Sequence, residues 1–265
     1  MSDWFWQEPH GVRFDWGPAG ADHLAPASAG LVIVDVLSFS TAVTVAVEAG
    51  IRVFPYPRHD DAAAAFARRR RAVLAAEGRS ASPDTPWSLS PAVLRRAPFT
   101  PRLVLPSPNG SAIAAAATAT ATTATASATT ATATEVVAAC LRNAIATGRW
   151  LAGRGLGTPD HPIAVIAAGE RWPDGSLRPA LEDLLGAGAV IAALMHQGAG
   201  PLSPEAAAAS GCYEVTPDIA AAVAGSASGR ELIQRGFPGD VVLASEVDTC
   251  EVAAVLADGA FEAAG

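Results

Sequence analysis

The chain has 265 residues, a formal net charge of −8 and no lysine, so all 18 basic residues are arginine. This length accommodates one large domain or two small lobes, and the acidic charge balance argues against nucleic acid as a partner. The absence of lysine excludes Schiff-base catalysis, pyridoxal-phosphate enzymes and Walker-A nucleotide binding, because each of these needs a lysine.

Strand-like and helical segments alternate along the chain. Strands are predicted at residues 12–17, 31–37, 51–56, 103–105, 135–140, from 163 and at 241–244. Helices are predicted at residues 41–48, 60–76, from 111, and at 141–151, 184–196, 203–210, 217–223, 228–235 and 249–256. This alternation predicts a three-layer α/β/α fold. The strand–loop–helix units at 31–50 and 163–191 resemble one another loosely, which favours one 265-residue unit with two related lobes, 1–140 and 141–265.

Residues 116–134 form a low-complexity tract of alanine and threonine. Alanine favours helix, whereas threonine favours strand and competes for backbone hydrogen bonds. We interpret the tract as a helix tail followed by an irregular or strand-like segment that carries no chemistry.

Polar side chains gather at two of the strand-to-helix junctions. At the first, Asp35 lies within a strand and hydroxyl residues follow it. At the second, a loop with Glu170, Arg171 and Asp174 leads to a helix that opens with Glu182 and Asp183. Rigid elements hold such loops on both sides, so chemistry is often found there. Carboxylates grouped with an arginine indicate a divalent metal and an anionic substrate.

Several common catalytic signatures are missing. The five histidines form no HxH or HExxH pair, and no GxSxG elbow occurs. Asn109, Gly110 and Ser111 precede a predicted helix, where exposed backbone N–H groups suit an oxyanion. The same three residues also suit an ordinary turn and helix N-cap, and spacing alone favours that interpretation.

The location of the protein follows from its cysteines and its N-terminus. Three widely spaced cysteines form no CxxC pair, and the first residues lack the basic and apolar regions of a signal peptide. No stretch reads as about 20 consecutive strongly apolar residues, so we expect no membrane span. A cytoplasmic protein is the expectation, and its Ala/Gly-rich helical surface is compatible with a homodimer.

Segments in a fixed order carry a resemblance to a known family. They are VIVDVLSFSTAV, SPNGS, CLRNA, AAGERWPDGSLRPALEDLLGAG and SGRELIQRGFPGDVVLASEVD. In this order the chain resembles the 2-phosphosulfolactate phosphatase (ComB-like) family from about residue 12 to 256. The resemblance implies two related α/β lobes with the active site in the cleft between them. It also implies a Mg²⁺-dependent phosphatase that converts 2-phospho-3-sulfolactate to 3-sulfolactate and phosphate, a step toward coenzyme M.

The resemblance also assigns candidate site residues by matching position. They are Asp35, Ser40, Thr41, Asn109, Gly110, Ser111, Asn143, Glu182, Asp183 and Arg230, with Asp240 in the same final segment. Asp35 with Glu182 or Asp183 would then bind Mg²⁺ and act in catalysis. The hydroxyls, the 109–111 turn, Asn143 and an arginine, Arg171 or Arg230, would hold the phosphate or sulfonate of a small anionic substrate.

The sequence departs from the family pattern in three places, one of which is the extra alanine-threonine tract. Ser38 stands where members usually have arginine, and the usual Gly-Glu-Arg region is reduced to residues 77–79 ahead of Ser90 and Pro91. The serine and the reduced region favour an alternative, a catalytically inactive relative that binds a small anionic metabolite. The retained Asp35 and the acidic pair Glu182 and Asp183 favour the enzyme, on phosphosulfolactate or on a related phosphate monoester.

Overall fold

A computed structural model describes residues 4–124 and 134–264, without the side chains of 118–124. The strands are β1 Val12–Trp16, β2 Gly30–Val34, β3 Arg52–Tyr56, β4 Val73–Leu74, β5 Arg102–Pro106, β6 Glu135–Ala139, β7 Ile163–Ala167, β8 Glu170–Arg171, β9 Leu177–Arg178, β10 Ala253–Ala257 and β11 Ala260–Ala264. The helices are α1 Gly17–Leu24, α2 Phe39–Glu48, α3 Asp61–Arg70, α4 Pro91–Leu94, α5 Gly110–Ala124, α6 Ala144–Gly153, α7 Leu181–His196, α8 Pro204–Glu214, α9 Ile219–Gly225, α10 Ala227–Gln234 and α11 Pro238–Ala244.

A nine-stranded sheet in the order β1-β7-β2-β6-β10-β11-β3-β5-β4 organises the described residues. The strands β1, β7, β2 and β6 are parallel to one another, as are β3, β5 and β4. The antiparallel hairpin β10–β11 joins the two parallel blocks. Both faces of the sheet are covered by helices, which confirms the three-layer α/β/α prediction.

Side chains alternate between two cores along each central strand. In β2, Val32 and Val34 belong to the core under α6 and α7, whereas Leu31 and Ile33 belong to the core that contains α2. Residues on alternate faces of a strand must both be apolar when both faces are covered. The continuous apolar run that predicted this strand therefore has a direct structural cause.

Helix α2 is enclosed by the sheet. Its residues from Phe39 to Val47 are all buried, and it contacts β3, β6, β10 and β11 from the middle of the sheet. Four strands separate β2 from β5 in the sheet. The N–H of Gly110, which follows β5, nevertheless donates a hydrogen bond to the carboxylate of Asp35, which follows β2. The sheet must therefore curl around the helix. This curl brings distant segments of the chain to one site.

Two predicted elements near the C-terminus are wrong. Residues 241–244 belong to α11, in which Pro238 occupies the first turn, not to a strand. Residues 249–256 were predicted as a helix, yet 253–257 form β10 of a hairpin. Asp258 and Gly259 connect its strands with positive φ angles of 51° and 76°, as an Asp-Gly hairpin turn requires.

The predicted division at residues 140 and 141 does not separate two sheets. Strands β7, β10 and β11 from the second half lie among strands of the first half in the same sheet. The two related lobes stay a prediction. The strand-like part of the Ala/Thr tract, 125–133, lies outside the described residues. No helix within 4–124 or 134–264 has the length and hydropathy to cross a membrane.

Candidate active site

Asp35 stands at the carboxyl end of β2 and joins the N-termini of two helices. Its Oδ1 accepts a hydrogen bond from the N–H of Phe39 in α2 at 3.0 Å, and its Oδ2 accepts one from the N–H of Gly110 in α5 at 2.9 Å. Both N–H groups lie in first helical turns, where the helix dipole favours negative charge. Burial nevertheless raises the pKa of Asp35, because these bonds and the charge of Arg79 only partly offset the lost hydration.

Asp183, in the first turn of α7, ties together the loops after two neighbouring parallel strands. Its Oδ1 accepts a hydrogen bond from the N–H of Val36 at 2.7 Å, after β2, and its Oδ2 accepts one from Gly169 at 2.8 Å, after β7. Burial raises the pKa of Asp183 well above its ordinary value, and the charges of Asp35 and Glu182 raise it further. The side chain of Asp183 therefore holds these two loops together at the edge of the sheet where the site lies.

Glu182 and Glu170 complete a cluster of carboxylates with Asp35 and Asp183. The side chain of Glu182 is 1% exposed, and its Oε2 accepts no hydrogen bond from any described residue. Glu170 accepts a hydrogen bond at Oε2 from the side-chain amide of Asn109 at 3.0 Å. Burial, with the nearby charges of Asp35 and Glu182, raises the pKa of Glu170 to about 7. The acids repel one another, so the cluster attracts a cation or a proton.

A cavity of about 170 Å³ opens beside this cluster. It is lined by Asp35, Leu37, Ser38, Arg79, Leu89, Ser107, Pro108, Asn109, Glu170, Ser228, Glu231, Leu232 and Arg235. The cavity is large enough for several water molecules or one small polar metabolite. A larger cavity of about 450 Å³ near Trp4 and Trp16 is lined by none of the four clustered carboxylates. The smaller cavity is therefore the candidate site.

Arg79 supplies a partly buried positive charge in the wall of this cavity. Its side chain is 12% exposed and forms an ion pair with Asp240 at 3.0 Å. The same guanidinium donates to the hydroxyl of Ser38 at 2.5 Å and to the carbonyl of Leu37 at 3.4 Å. Asp240 in turn accepts hydrogen bonds from Ser90 and from the backbone of residue 92. The guanidinium is thus held in one position by surrounding groups.

The model of the 2-phosphosulpholactate phosphatase family matches residues 21–259 of the chain. The chain belongs to this family. The match extends from α1 to the β10–β11 hairpin and includes every residue of the carboxylate cluster. None of the curated proteins matches the chain. The protein is accordingly a phosphoric monoester hydrolase, and its family acts on a small phosphate substrate.

The phosphatase brings only some of the predicted site residues to the cavity. Asp35 and Asn109 line it, and the N–H of Gly110 reaches the carboxylate of Asp35. An added Cβ at Gly110 would lie 2.7 Å from a ring carbon of Phe39, so this close approach requires glycine. Glu182 and Asp183 are not lining residues, yet both carboxylates interact electrostatically with Asp35.

The predicted hydroxyl ligands make other contacts. Ser40 donates to the carbonyl of residue 33 at 2.9 Å and accepts a hydrogen bond from the N–H of Asp35. Thr41 donates to the carbonyl of residue 36 at 2.7 Å, and Ser111 donates to the carbonyl of Tyr56 at 2.7 Å. All three hydroxyls are buried and none lines the cavity. They hold the loops of the site in place, and their contact with a substrate stays a prediction.

Asn143, Arg171 and Arg230 also lie away from the cavity lining. Asn143 is fully buried after β6, where its side chain binds backbone groups of residues 138, 140 and 252. Arg171 is exposed on the β8–β9 hairpin and donates to the carbonyl of Gly175. Arg230 is exposed on α10. Their predicted contact with substrate stays a prediction.

Two residues that line the cavity, Glu170 and Arg79, were not predicted as site residues from the sequence. Glu170 was noted in its loop but not assigned to the site, and Arg79 was noted only as part of a shortened motif. A glutamate directly after a buried parallel strand is a usable signal, because such strands end at one edge of the sheet. No local pattern predicts that Arg79 reaches Ser38, since the two lie on different loops.

The carboxylate cluster fits a magnesium ion in its chemistry. Mg²⁺ prefers oxygen ligands and is commonly bound through one or two carboxylates, with water and substrate phosphate as the other ligands. The unpartnered, buried Oε2 of Glu182 and the mutual repulsion with Asp35 and Glu170 are the features that a cation would relieve. Among the described residues, no group of three or more acidic, histidine or cysteine side chains is placed so that it could hold a metal ion, so a magnesium ion here would depend on two carboxylates.

Proposed function

We propose that this phosphatase hydrolyses 2-phospho-3-sulfolactate to 3-sulfolactate and phosphate in the presence of Mg²⁺. The observation that carries the proposal is the meeting of Asp35, Glu170 and Arg79 around one small cavity at the carboxyl ends of parallel strands. Acidic groups at one side suit a metal, and a guanidinium suits an oxyanion. A site of this composition favours a small substrate with more than one negative charge.

Asp35 and Glu182 are the residues that would hold the magnesium ion. Asp35 lines the cavity, and Glu182 has a buried oxygen without a partner in the described chain. When bound, the ion neutralises phosphate charge and lowers the pKa of a water molecule. Asp183 was predicted as a ligand beside or in place of Glu182, but it neither lines the cavity, as Asp35 does, nor has an oxygen without a partner among the described residues, as Glu182 does. The proposed role of Asp183 is to position the loops that carry Asp35 and Glu170.

Glu170 is the proposed proton carrier. Asn109 binds Oε2, so Oε1 is the oxygen that carries the proton. Burial is the largest cause of the raised pKa of Glu170, which is about 7 without a bound metal, and burial still favours the protonated carboxyl when a metal neutralises Asp35 and Glu182. As water attacks phosphorus and the phosphorus–oxygen bond breaks, Glu170 gives its proton to the leaving lactate oxygen. The attacking water releases its proton to solvent, and the carboxylate of Glu170 regains a proton from solvent before the next turnover.

Phosphate release from 2-phospho-3-sulfolactate tests the proposal. The protein is first stripped of divalent metal and then assayed with increasing Mg²⁺. Release should require the metal, and Asp35→Asn should lower kcat by at least about 100-fold, since it removes a charge at the reacting group. Asp174→Asn is the matched control, because that carboxylate is exposed at the tip of the neighbouring hairpin.

Two results would contradict this function. Equal release with and without Mg²⁺ would remove the metal from the mechanism, and full activity in Asp35→Asn would remove the residue from the site. The alternative of an inactive relative predicts ligand binding without phosphate release in the same assay. Its main argument was Ser38 in place of an arginine, and the guanidinium of Arg79 lies against that serine.

A further inference from the structure

Arg79 differs from the other arginine of the cavity lining because its side chain is mostly shielded from solvent and held in place by hydrogen bonds. Its side chain is 12% exposed, whereas Arg235, the other arginine of the lining, is 61% exposed and paired with Glu231 on its own helix. A solvated arginine contributes little discrimination, because water screens its charge. A desolvated guanidinium in a fixed position binds an anion more strongly and more selectively.

The guanidinium of Arg79 retains donors for a ligand. Within the described residues it donates from Nη1 to Ser38 and Asp240 and from Nη2 to the carbonyl of Leu37. A guanidinium has five N–H donors, so Nε–H and one N–H of Nη2 donate to no described group. Ser38 is similar, because its oxygen accepts from Arg79 while its own O–H donates to no group in the described chain. Both side chains line the cavity.

The guanidinium and the carboxylates line one cavity but come from different parts of the chain. Asp35 and Ser38 follow β2 and Glu170 follows β7, whereas Arg79 comes from the loop after β4 and is anchored by α11 through Asp240. In the proposed function the reacting phosphate belongs with the acidic cluster and its metal. The remaining donors of Arg79 and Ser38 are then available to a different anionic group of the same substrate.

We propose that Arg79, with Ser38, binds the non-reacting sulfonate of the substrate and so determines specificity for a phosphate monoester with a second strong acid. This inference rests on the proposed function. A sulfonate is charged at every relevant pH and is a weak metal ligand. Guanidinium and hydroxyl donors therefore suit it better than the carboxylate cluster does. Position 38 is serine where family members usually have arginine, and Arg79, which donates a hydrogen bond to this serine, supplies a positive charge in the cavity instead.

A comparison of two substrates tests this assignment. The kcat/KM of wild-type protein, Arg79→Gln and Arg79→Lys is measured with 2-phospho-3-sulfolactate and with 2-phospholactate, which lacks the sulfonate. Arg79→Gln should lose about 10- to 100-fold in kcat/KM on the sulfonated substrate, mainly through KM, and much less on 2-phospholactate. Arg79→Lys should recover part of the loss. Arg95→Gln is the control, because Arg95 pairs with Glu246 at the surface, outside the cavity lining.

The outcomes are distinguishable. Equal losses on both substrates would mean that Arg79 only supports the fold of the site, and this would overturn the assignment, as would no loss on either. Circular dichroism of each variant shows whether it is folded, and Arg79→Lys provides the second, conservative test. Failure of the wild-type protein to hydrolyse the sulfonated substrate with Mg²⁺ present would instead refute the proposed function, and the specificity assignment with it.

Discussion

Replacing Glu170 by glutamine tests the electrostatics of the carboxylate cluster in protein stripped of divalent metal. Glutamine keeps the shape of the side chain, and its carbonyl can still accept the hydrogen bond from Asn109. Only the charge is removed. Burial and the charges of Asp35 and Glu182 raise the pKa of Glu170 from 4.5 to about 7, so ionised Glu170 destabilises the folded protein.

The sign and size follow from proton linkage. Between pH 4.5 and about 7, folded Glu170 holds a proton that the unfolded chain has released. The free energy of unfolding therefore falls as pH rises through this window, by about 3 kcal/mol for this group alone. Asp35 and Asp183 act in the same direction, because their pKa values are also raised. Relative to wild type, the free energy of unfolding of Glu170→Gln should be higher by nearly the full amount, about 3 kcal/mol, at pH 8 and by little at pH 4.5.

Urea denaturation followed by tryptophan fluorescence, from pH 4.5 to 8 in EDTA, measures this difference. Glu251→Gln is the matched control, because Glu251 is an exposed carboxylate in the loop before β10 and should leave the pH dependence of the wild type unchanged. Parallel wild-type and Glu170→Gln curves across this range would refute the reasoning. Such curves would mean that water or a cation already relieves the cluster.

Further predictions concern the close approaches that position the site. Gly110→Ala should lower kcat by about 100-fold, because its Cβ would lie 2.9 Å from the Cβ of Asp35 and displace a catalytic group, as steady-state kinetics would show. In α7, Gly188→Ala should lower the free energy of unfolding by about 1–3 kcal/mol, since its Cβ would lie 2.3 Å from the carbonyl oxygen of Ala209. In α8, a Cβ added at Gly211 has no atom within 4 Å, so Gly211→Ala should raise the free energy of unfolding by up to about 1 kcal/mol. If urea denaturation showed Gly188→Ala to be more stable than Gly211→Ala, the packing of α7 on α8 would be contradicted.

The sequence predicts the layers of the fold well because burial leaves a local pattern. The apolar run at 31–37 and the small-residue helix after it correspond to β2 and α2, whose side chains are buried on nearly every face. The C-terminal hairpin was missed because short apolar runs fit helix and strand equally well. The Asp258-Gly259 pair was the available signal for the turn, and it was not used.

The site was predicted less completely, for a reason that lies in the curl of the sheet. Asp35 and the acidic pair at 182–183 were expected to meet because the family resemblance places them in one cleft, whereas the adjacency of β2 and β7 is seen only in the structure. The contact between Asp35 and Gly110, and that between Arg79 and Ser38, depend on how the sheet closes around α2. Ser40 was predicted as a substrate ligand because its position matches the hydroxyl pair of the family it resembles. Only its burial identifies the backbone as its partner.

Magnesium binding by calorimetry tests the central claim most directly, namely that Asp35 and Glu182 share one cation. Wild-type protein and Asp174→Asn should bind Mg²⁺ with the same affinity, whereas Asp35→Asn and Glu182→Gln should each lose at least about tenfold, because each removes one of very few carboxylate ligands. Unchanged binding by Glu182→Gln would contradict the account. Its buried oxygen would then be unpartnered for a reason other than the metal.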